Sequence, residues 1–189
     1  PPVYLENFSF ENYANNIPEF VNIKYDKDIK INPAFLSEND FLIRNGEIKL
    51  KEGDVMAAFN AFDEAIKLFP EQSEPYYQRG RIYFEKNQYE KAIDDFNTAI
   101  GIEQLATYYT SRGIAYLKLN KNDRVIEDLT RASLLDPTSY TPWTYLGVAY
   151  TNAENYSKAI NCLEKAIGRY DQDAYTYYYL GLANFSSGN

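Results

Sequence analysis

The chain of 189 residues has no histidine and one cysteine, Cys162. Without histidine it lacks the side chain that most often acts as a general base near neutral pH and most often ligates metals. A single cysteine excludes an intrachain disulfide and a cysteine-based metal cluster. We therefore predict no catalytic residue, no metal site, no cofactor and no enzymatic activity.

Long apolar runs and an excess of basic residues are also missing. No stretch approaches the roughly 20 apolar residues of a membrane span, and no basic-then-apolar leader stands at the start. The 27 acidic and 19 basic side chains give a net charge of −8, which repels phosphate backbones. We predict no membrane span and no nucleic-acid partner. These absences favour the cytoplasm, although no motif assigns a compartment.

What the sequence does contain is a repeat. It is marked by five glycines: Gly46, Gly80, Gly113, Gly147 and Gly181. Their spacings are 34, 33, 34 and 34 residues. A glycine inside a helix costs about 1 kcal/mol relative to alanine. Five glycines at one phase therefore indicate that close helix packing offsets this cost in each unit.

Other positions repeat at the same phase. A large apolar residue follows each of the first four glycines: Phe62, Phe96, Leu129 and Leu163. An alanine follows three residues later in every unit: Ala65, Ala99, Ala132 and Ala166. The large residues are expected to fill the space between neighbouring helices, and the alanines to let the next unit stack. This pattern predicts an all-α chain of stacked helix pairs.

These columns resemble those of the tetratricopeptide repeat (TPR) family, over about four-fifths of the chain. The resemblance implies a right-handed superhelical array of antiparallel helix pairs. The units are predicted at 39–72, 73–105, 106–139 and 140–173, with a half unit at 174–189 and a non-repeat lead-in at 1–38. The first unit departs from the pattern, with Asn45 and Lys49 where leucine and tyrosine are usual.

In this family the first helix of each unit lines a concave groove that binds a partner. The positions so implied are aromatic, hydroxyl-bearing or apolar, with few charges: Tyr77, Arg81, Phe84, Thr110, Ile114, Thr144, Val148, Tyr175 and Tyr178. Such a lining suits an extended segment or an amphipathic helix of a protein partner. Some family members instead clamp the terminal carboxylate of a chaperone tail. No frame of units carries the required lysine, asparagine and arginine set, so that role is not expected.

The two ends of the chain lead to separate expectations. In the lead-in, residues 21–25 alternate like a strand and Ile29 and Ile31 continue the alternation, which predicts a hairpin. The lead-in is expected either to cover the first repeat or to fill the groove. The tyrosines within 175–179 exceed what the repeat requires, which predicts a contact surface there. The last helix carries several aromatic residues and has no second helix after it. We expect further repeats or a partner to cover it, and self-association through this end is one such contact.

Three functions fit this sequence. The leading hypothesis is a scaffold that binds a segment of another protein in the groove. The second is a regulatory or substrate-docking domain of a larger enzyme. The third is a sensor that closes around a short peptide, which is incompatible with a groove filled permanently by residues 1–38.

Overall fold

The computed structural model describes residues 38–188. The hairpin predicted within residues 21–31 lies outside them, as does most of the lead-in. The chain divides into two compact units, Pro1–Phe41 and Leu42–Asn189, and the second carries the repeats described below. Within the described residues all regular structure is helical. The helices are α1 (Glu38–Lys51), α2 (Val55–Leu68), α3 (Ser73–Glu85), α4 (Tyr89–Ile102), α5 (Ala106–Lys118), α6 (Asn122–Leu135), α7 (Thr141–Asn152), α8 (Tyr156–Ile167) and α9 (Ala174–Ser187).

These helices form an all-α solenoid in which consecutive helices pack in pairs. We call α1, α3, α5, α7 and α9 the first helices of their units, and α2, α4, α6 and α8 the second helices. The large residues of the second helices fill the interior, as their column predicted: Phe62, Phe96, Leu129 and Leu163 are all at most 1% exposed. The alanines three residues later are fully buried. The predicted fold class is confirmed.

The repeated glycines bring each first helix against its second helix. A Cβ built on Gly80 would lie 2.7 Å from the Phe96 ring, and one on Gly147 would lie 2.4 Å from Leu163 Cγ. Neither distance leaves room for a methyl group, so a larger residue would push the paired helices apart. Gly46 and Gly113 make the same close approach to Phe62 and Leu129. Close packing is thus the reason for the glycine column.

Two units carry a buried arginine–aspartate pair between their helices. Arg79 donates from Nε to Asp95 at 2.9 Å and from Nη2 at 2.7 Å. In the next unit Arg112 makes the same bidentate contact with Asp128, donating from Nε at 2.8 Å and from Nη2 at 2.7 Å. In the fourth unit Leu146 and Cys162 occupy the equivalent positions and belong to one apolar cluster. The same site between helices is therefore filled by ions in two units and by apolar groups in another.

The single tryptophan of the chain, Trp143, packs in α7 beside two cations from the following helix and turn. Lys165 Nζ lies 4.5 Å from a ring centroid of Trp143, and the guanidinium carbon of Arg169 lies 5.2 Å away. Arg169 is held there because it donates to the carbonyl oxygens of Pro137 and Lys165. Cation–π contacts of this kind add to the packing between α7 and α8.

The turn after each first helix contains one residue with left-handed backbone. These residues stand at one phase of the repeat: Gly53, Asn87, Asn120, Glu154 and Gly188, with φ of 83, 58, 56, 56 and 82°. Glycine adopts this conformation freely and asparagine tolerates it. For other L-residues it costs roughly 1–2 kcal/mol. Glu154 is the member of the column with the least suitable side chain.

We expect Glu154→Gly to raise the free energy of unfolding by about 1 kcal/mol, because glycine removes the strain at this φ. Urea denaturation followed by circular dichroism measures the change. The matched control is Asn87→Gly at the same phase, for which a smaller gain is expected. A loss of stability in Glu154→Gly, with Asn87→Gly unchanged, would contradict strain at this turn.

Candidate functional site

A pocket opens on the face of the first helices, between α3 and α5. Its volume is about 160 Å³ and its lining combines apolar and polar groups: Arg81, Phe84, Glu85, Phe96, Ser111 and Ile114. Phe84 and Ile114 are half-buried, Arg81 and Glu85 are exposed, and Phe96 is buried. The pocket therefore has apolar walls beneath a polar, charged rim.

Tyr77 supports this pocket rather than projecting from it. Its ring lies 4.6 Å from the Tyr108 ring and 5.8 Å from the Phe96 ring, measured between centroids. Its hydroxyl accepts a long hydrogen bond of 3.4 Å from Ser111. The Arg81 guanidinium lies 5.8 Å from the Tyr77 ring centroid and donates to Gln78 Oε1 at 3.0 Å. Arg81 is thus held over the pocket by a ring and an amide.

A chain of hydrogen bonds fixes the other side of Tyr77. The buried Tyr108 hydroxyl lies 3.0 Å from Glu74 and 3.1 Å from Ser73, and Gln78 donates to the second oxygen of Glu74 at 2.6 Å. Burial raises the pKa of the Tyr108 hydroxyl, against the lowering effect of Ser73, so it stays protonated and donates to Glu74. This network reaches Arg81 through Gln78 and makes the α3–α5 face rigid.

Four tyrosines form a second surface on α7 and α9, which we call the tyrosine ladder: Tyr145, Tyr175, Tyr178 and Tyr179. The Tyr145 and Tyr175 ring centroids lie 5.9 Å apart, Tyr175 and Tyr179 4.8 Å apart, and Tyr178 and Tyr179 5.2 Å apart. Tyr178 is 64% exposed and Tyr175 is 42% exposed. Burial, with a smaller contribution from Tyr179, raises the pKa of Tyr175.

Two of the predicted groove residues lie inside the array. Thr144 and Val148 are each 2% exposed. The Thr144 hydroxyl lies 2.7 Å from that of Thr176 in α9, and Thr176 in turn donates to Asp173. This buried contact joins α7 to α9, so Thr144 packs one unit against the next.

The structure divides the other seven predicted residues into three groups. Arg81, Phe84 and Ile114 meet in the pocket, with Tyr77 behind it. Tyr175 and Tyr178 belong to the ladder. Thr110 is half-buried and donates to the Ala106 carbonyl at 2.8 Å within its own helix.

Sequence reasoning missed several residues that complete these surfaces: Glu85, Phe96 and Ser111 in the pocket, and Tyr145 in the ladder. Tyr145, Ser111 and Tyr179 share one phase of the repeat, the sixth position of their units. That shared phase is the signal that could have identified Ser111 and Tyr145. Phe96 was recognised only as a core residue.

Among the described residues, no group of three or more acidic or sulfur side chains is placed to hold a metal ion. Cys162 is buried, and burial raises the pKa of its thiol, so it is protonated near neutral pH. Over the same part of the chain, no helix is both long enough and apolar enough to cross a membrane.

Stacked helix pairs, with a glycine of each first helix against a large residue of the second, define a helical-repeat protein. The chain contains tetratricopeptide repeats. Models of the tetratricopeptide repeat match residues 73–104 and 146–189.

Curated relatives share this repeat at modest identity. A TPR repeat-containing protein of Methanocaldococcus jannaschii is 25% identical over 130 residues, covering 68% of this chain and 23% of that protein. The mitochondrial import receptor subunit TOM70 of Rattus norvegicus is 27% identical over 149 residues, covering 76% of this chain and 24% of the receptor subunit. The chain therefore spans about a quarter of the length of these relatives.

Solved structures share the fold. MamA superimposes with a TM-score of 0.72 and 24% identity, covering 79% of this chain and 82% of MamA. YrrB, described as a TPR protein with an unusual peptide-binding site, gives a TM-score of 0.69 and 19% identity, covering 78% of this chain and 77% of YrrB. At these identities the likeness establishes the helical architecture alone.

Proposed function

We propose that the chain is a protein–protein interaction scaffold whose first-helix face binds a segment of a partner protein. One observation carries the proposal: Arg81, Phe84 and Ile114, implied separately by the repeat, line the same pocket. Two neighbouring first helices, α3 and α5, contribute to it. A partner segment lying across both helices would place one side chain in this pocket.

The size and lining of the pocket indicate which kind of ligand it binds. Small-molecule sites usually enclose roughly 300–1,000 Å³, whereas this pocket has about 160 Å³. That volume suits one large apolar side chain. Phe84, Ile114 and Phe96 would contact that side chain, and Arg81 and Ser111 could pair with polar groups of the segment's backbone. The pocket is thus an anchor for a peptide.

The names of similar proteins agree with this reading. YrrB is described as having a peptide-binding site, and TOM70 is a subunit of an import receptor. Both support an interaction role for this array.

A displayed library of random peptides, selected on the whole chain, tests the proposal. We expect selected peptides to share an apolar anchor residue and to lose about tenfold in affinity for Phe84→Ala, because truncating a central aromatic contact costs more than 1 kcal/mol. Fluorescence anisotropy with a labelled selected peptide measures the loss. Ile114→Asp should weaken binding further, since it places a charge in the apolar wall.

Phe185→Ala is the matched control, because Phe185 is a phenylalanine that is 83% exposed on α9, away from the pocket. It should leave affinity unchanged. Thermal melting of Phe84→Ala tests separately whether the fold survives, since Phe84 also packs against Tyr89. Selected peptides that bind folded Phe84→Ala and Ile114→Asp as tightly as the original chain would refute a site in this pocket.

A further inference from the structure

The tyrosine ladder is a surface that the pocket does not include. Its rings pack edge to face or tilted against one another, with neighbouring centroids 4.8–5.9 Å apart. Rings that already contact each other lose little conformational freedom when a ligand covers them. Tyr178 and Tyr175 keep 64% and 42% of their surface exposed. The ladder is therefore a preorganised aromatic surface that is open to a partner.

The helices that carry the ladder have no charged residue. Neither α7, TPWTYLGVAYTN, nor α9, AYTYYYLGLANFSS, contains Asp, Glu, Lys or Arg, although 24% of the chain's residues are charged. The nearby carboxylate of Asp173 accepts hydrogen bonds from the backbone N–H and the hydroxyl of Thr176. Tyrosine faces attract cations rather than anions, and Asp173 adds a negative charge at the start of α9. An acidic ligand would therefore lose its hydration here without gaining a cation from these helices, so the surface disfavours an acidic segment.

The hydroxyl groups of the ladder indicate the backbone conformation of that segment. A tyrosine hydroxyl is protonated near neutral pH and can donate a hydrogen bond, and Tyr178 is 64% exposed, so its hydroxyl can reach a ligand. A polyproline II segment has no internal hydrogen bonds and presents unpaired carbonyl oxygens. Its proline rings offer flat apolar faces to aromatic side chains. A helical segment, in contrast, satisfies its own carbonyls and has less use for these donors.

We propose that the tyrosine ladder binds a proline-rich segment without acidic residues, in the polyproline II conformation. This proposal deepens the proposed function and rests on it, because it names the chemistry of a segment that crosses the first-helix face. The ladder and the pocket are then separate contact points for one partner, or for two segments of it.

A direct test uses three labelled peptides of equal length with blocked ends. The first is decaproline, the second alternates alanine and glycine, and the third is decaproline with glutamate at every third position. We expect the whole chain to bind decaproline saturably and to bind the other two at least about tenfold more weakly in fluorescence anisotropy. The alanine–glycine peptide is not preformed as a polyproline II helix, and the glutamate peptide carries negative charges for which α7 and α9 offer no cation.

The variant Tyr178→Ala should weaken decaproline binding about tenfold, as expected for an interface tyrosine worth roughly 1.4 kcal/mol. Tyr177→Ala is the matched control, because Tyr177 lies on the same helix, is 47% exposed and stands outside the ladder. It should change affinity by less than about twofold. Circular dichroism is expected to find both variants folded, since both side chains are exposed.

Three results would overturn the proposal: no saturable binding of decaproline, equal binding of the glutamate peptide, or decaproline binding that Tyr178→Ala leaves unchanged. A dimer in sedimentation equilibrium that Tyr178→Ala abolishes would also overturn it, because the ladder would then contact a second copy. If decaproline fails while library-selected peptides still require Phe84, the proposed function stands without the ladder. If selected peptides require neither surface, both proposals fall.

Discussion

Replacing Asp128 with alanine is expected to lower the free energy of unfolding by about 3–5 kcal/mol, the cost of breaking a buried ion pair from one side. Asp128 is 3% exposed and accepts two hydrogen bonds from Arg112. Burial raises the pKa of this carboxyl even though Arg112 favours its ionised form, which indicates how strongly the site penalises an unpaired charge. Without Asp128, the Arg112 guanidinium keeps its hydrogen bond to Asn97 but loses its counter-ion. Urea denaturation of both proteins measures the difference.

The chain provides its own control for this experiment. Leu146 and Cys162 fill the equivalent site of the fourth unit with apolar groups. Transferring them, as Arg112→Leu with Asp128→Cys under reducing conditions, should recover most of the lost stability, because well-packed apolar residues often replace a buried ion pair without loss. A double variant as unstable as Asp128→Ala would mean that lost packing, rather than an unpaired charge, causes the defect.

Gly147→Ala is expected to destabilise the array by about 1–3 kcal/mol through overpacking. The added methyl group would lie 2.4 Å from Leu163 Cγ and 2.6 Å from Leu163 Cδ2. Leu163 is fully buried, so it cannot rotate away without displacing its own neighbours. Thermal melting and urea denaturation should both register the loss.

Gly181→Ala should instead raise the free energy of unfolding. Gly181 stands at the same phase in α9, but a Cβ there would have no described atom within 4 Å. Alanine then only improves helix propensity, which is worth up to about 1 kcal/mol. Equal destabilisation by the two substitutions would argue that the glycines serve the helix backbone and not the contact between helices.

The helix pairing could be predicted from the sequence because its cause is local in the repeat. A glycine and a large apolar residue 16 positions later, such as Gly80 and Phe96, meet within one unit. The same separation joins Arg79 to Asp95 and Arg112 to Asp128. Sequence reasoning did not use this second pattern, although it has the same spacing.

The binding surface was harder to predict because it depends on contacts between units. Thr144 and Val148 occupy phases typical of a groove, yet both are buried, and the Thr144 hydroxyl meets Thr176 of the next first helix. The position of a residue within its repeat unit predicts which helix face it occupies. It does not state how closely the next helix covers that face, since that depends on the residues both units present.

The left-handed turns could be predicted from the sequence only in part. Gly53 and Asn87 are residue types typical of positive φ, and their spacing could have identified the column. The pattern is not evident at position 154, because glutamate is not a residue type typical of positive φ. The ladder was foreseen only in part: the surplus of tyrosine in 175–179 was visible, whereas the contact with Tyr145 required the structure.

The position of Trp143 gives this array an internal optical probe. It is the only tryptophan in the chain, and its ring rests beside Lys165 and Arg169. Its emission therefore reports the environment between α7 and the end of α8, while far-ultraviolet ellipticity reports all the helices together. When the two signals are recorded during one denaturation, coincident midpoints mean that the units melt as a single cooperative block. Separate midpoints mean that the fourth unit melts independently of its neighbours, as a one-dimensional array allows.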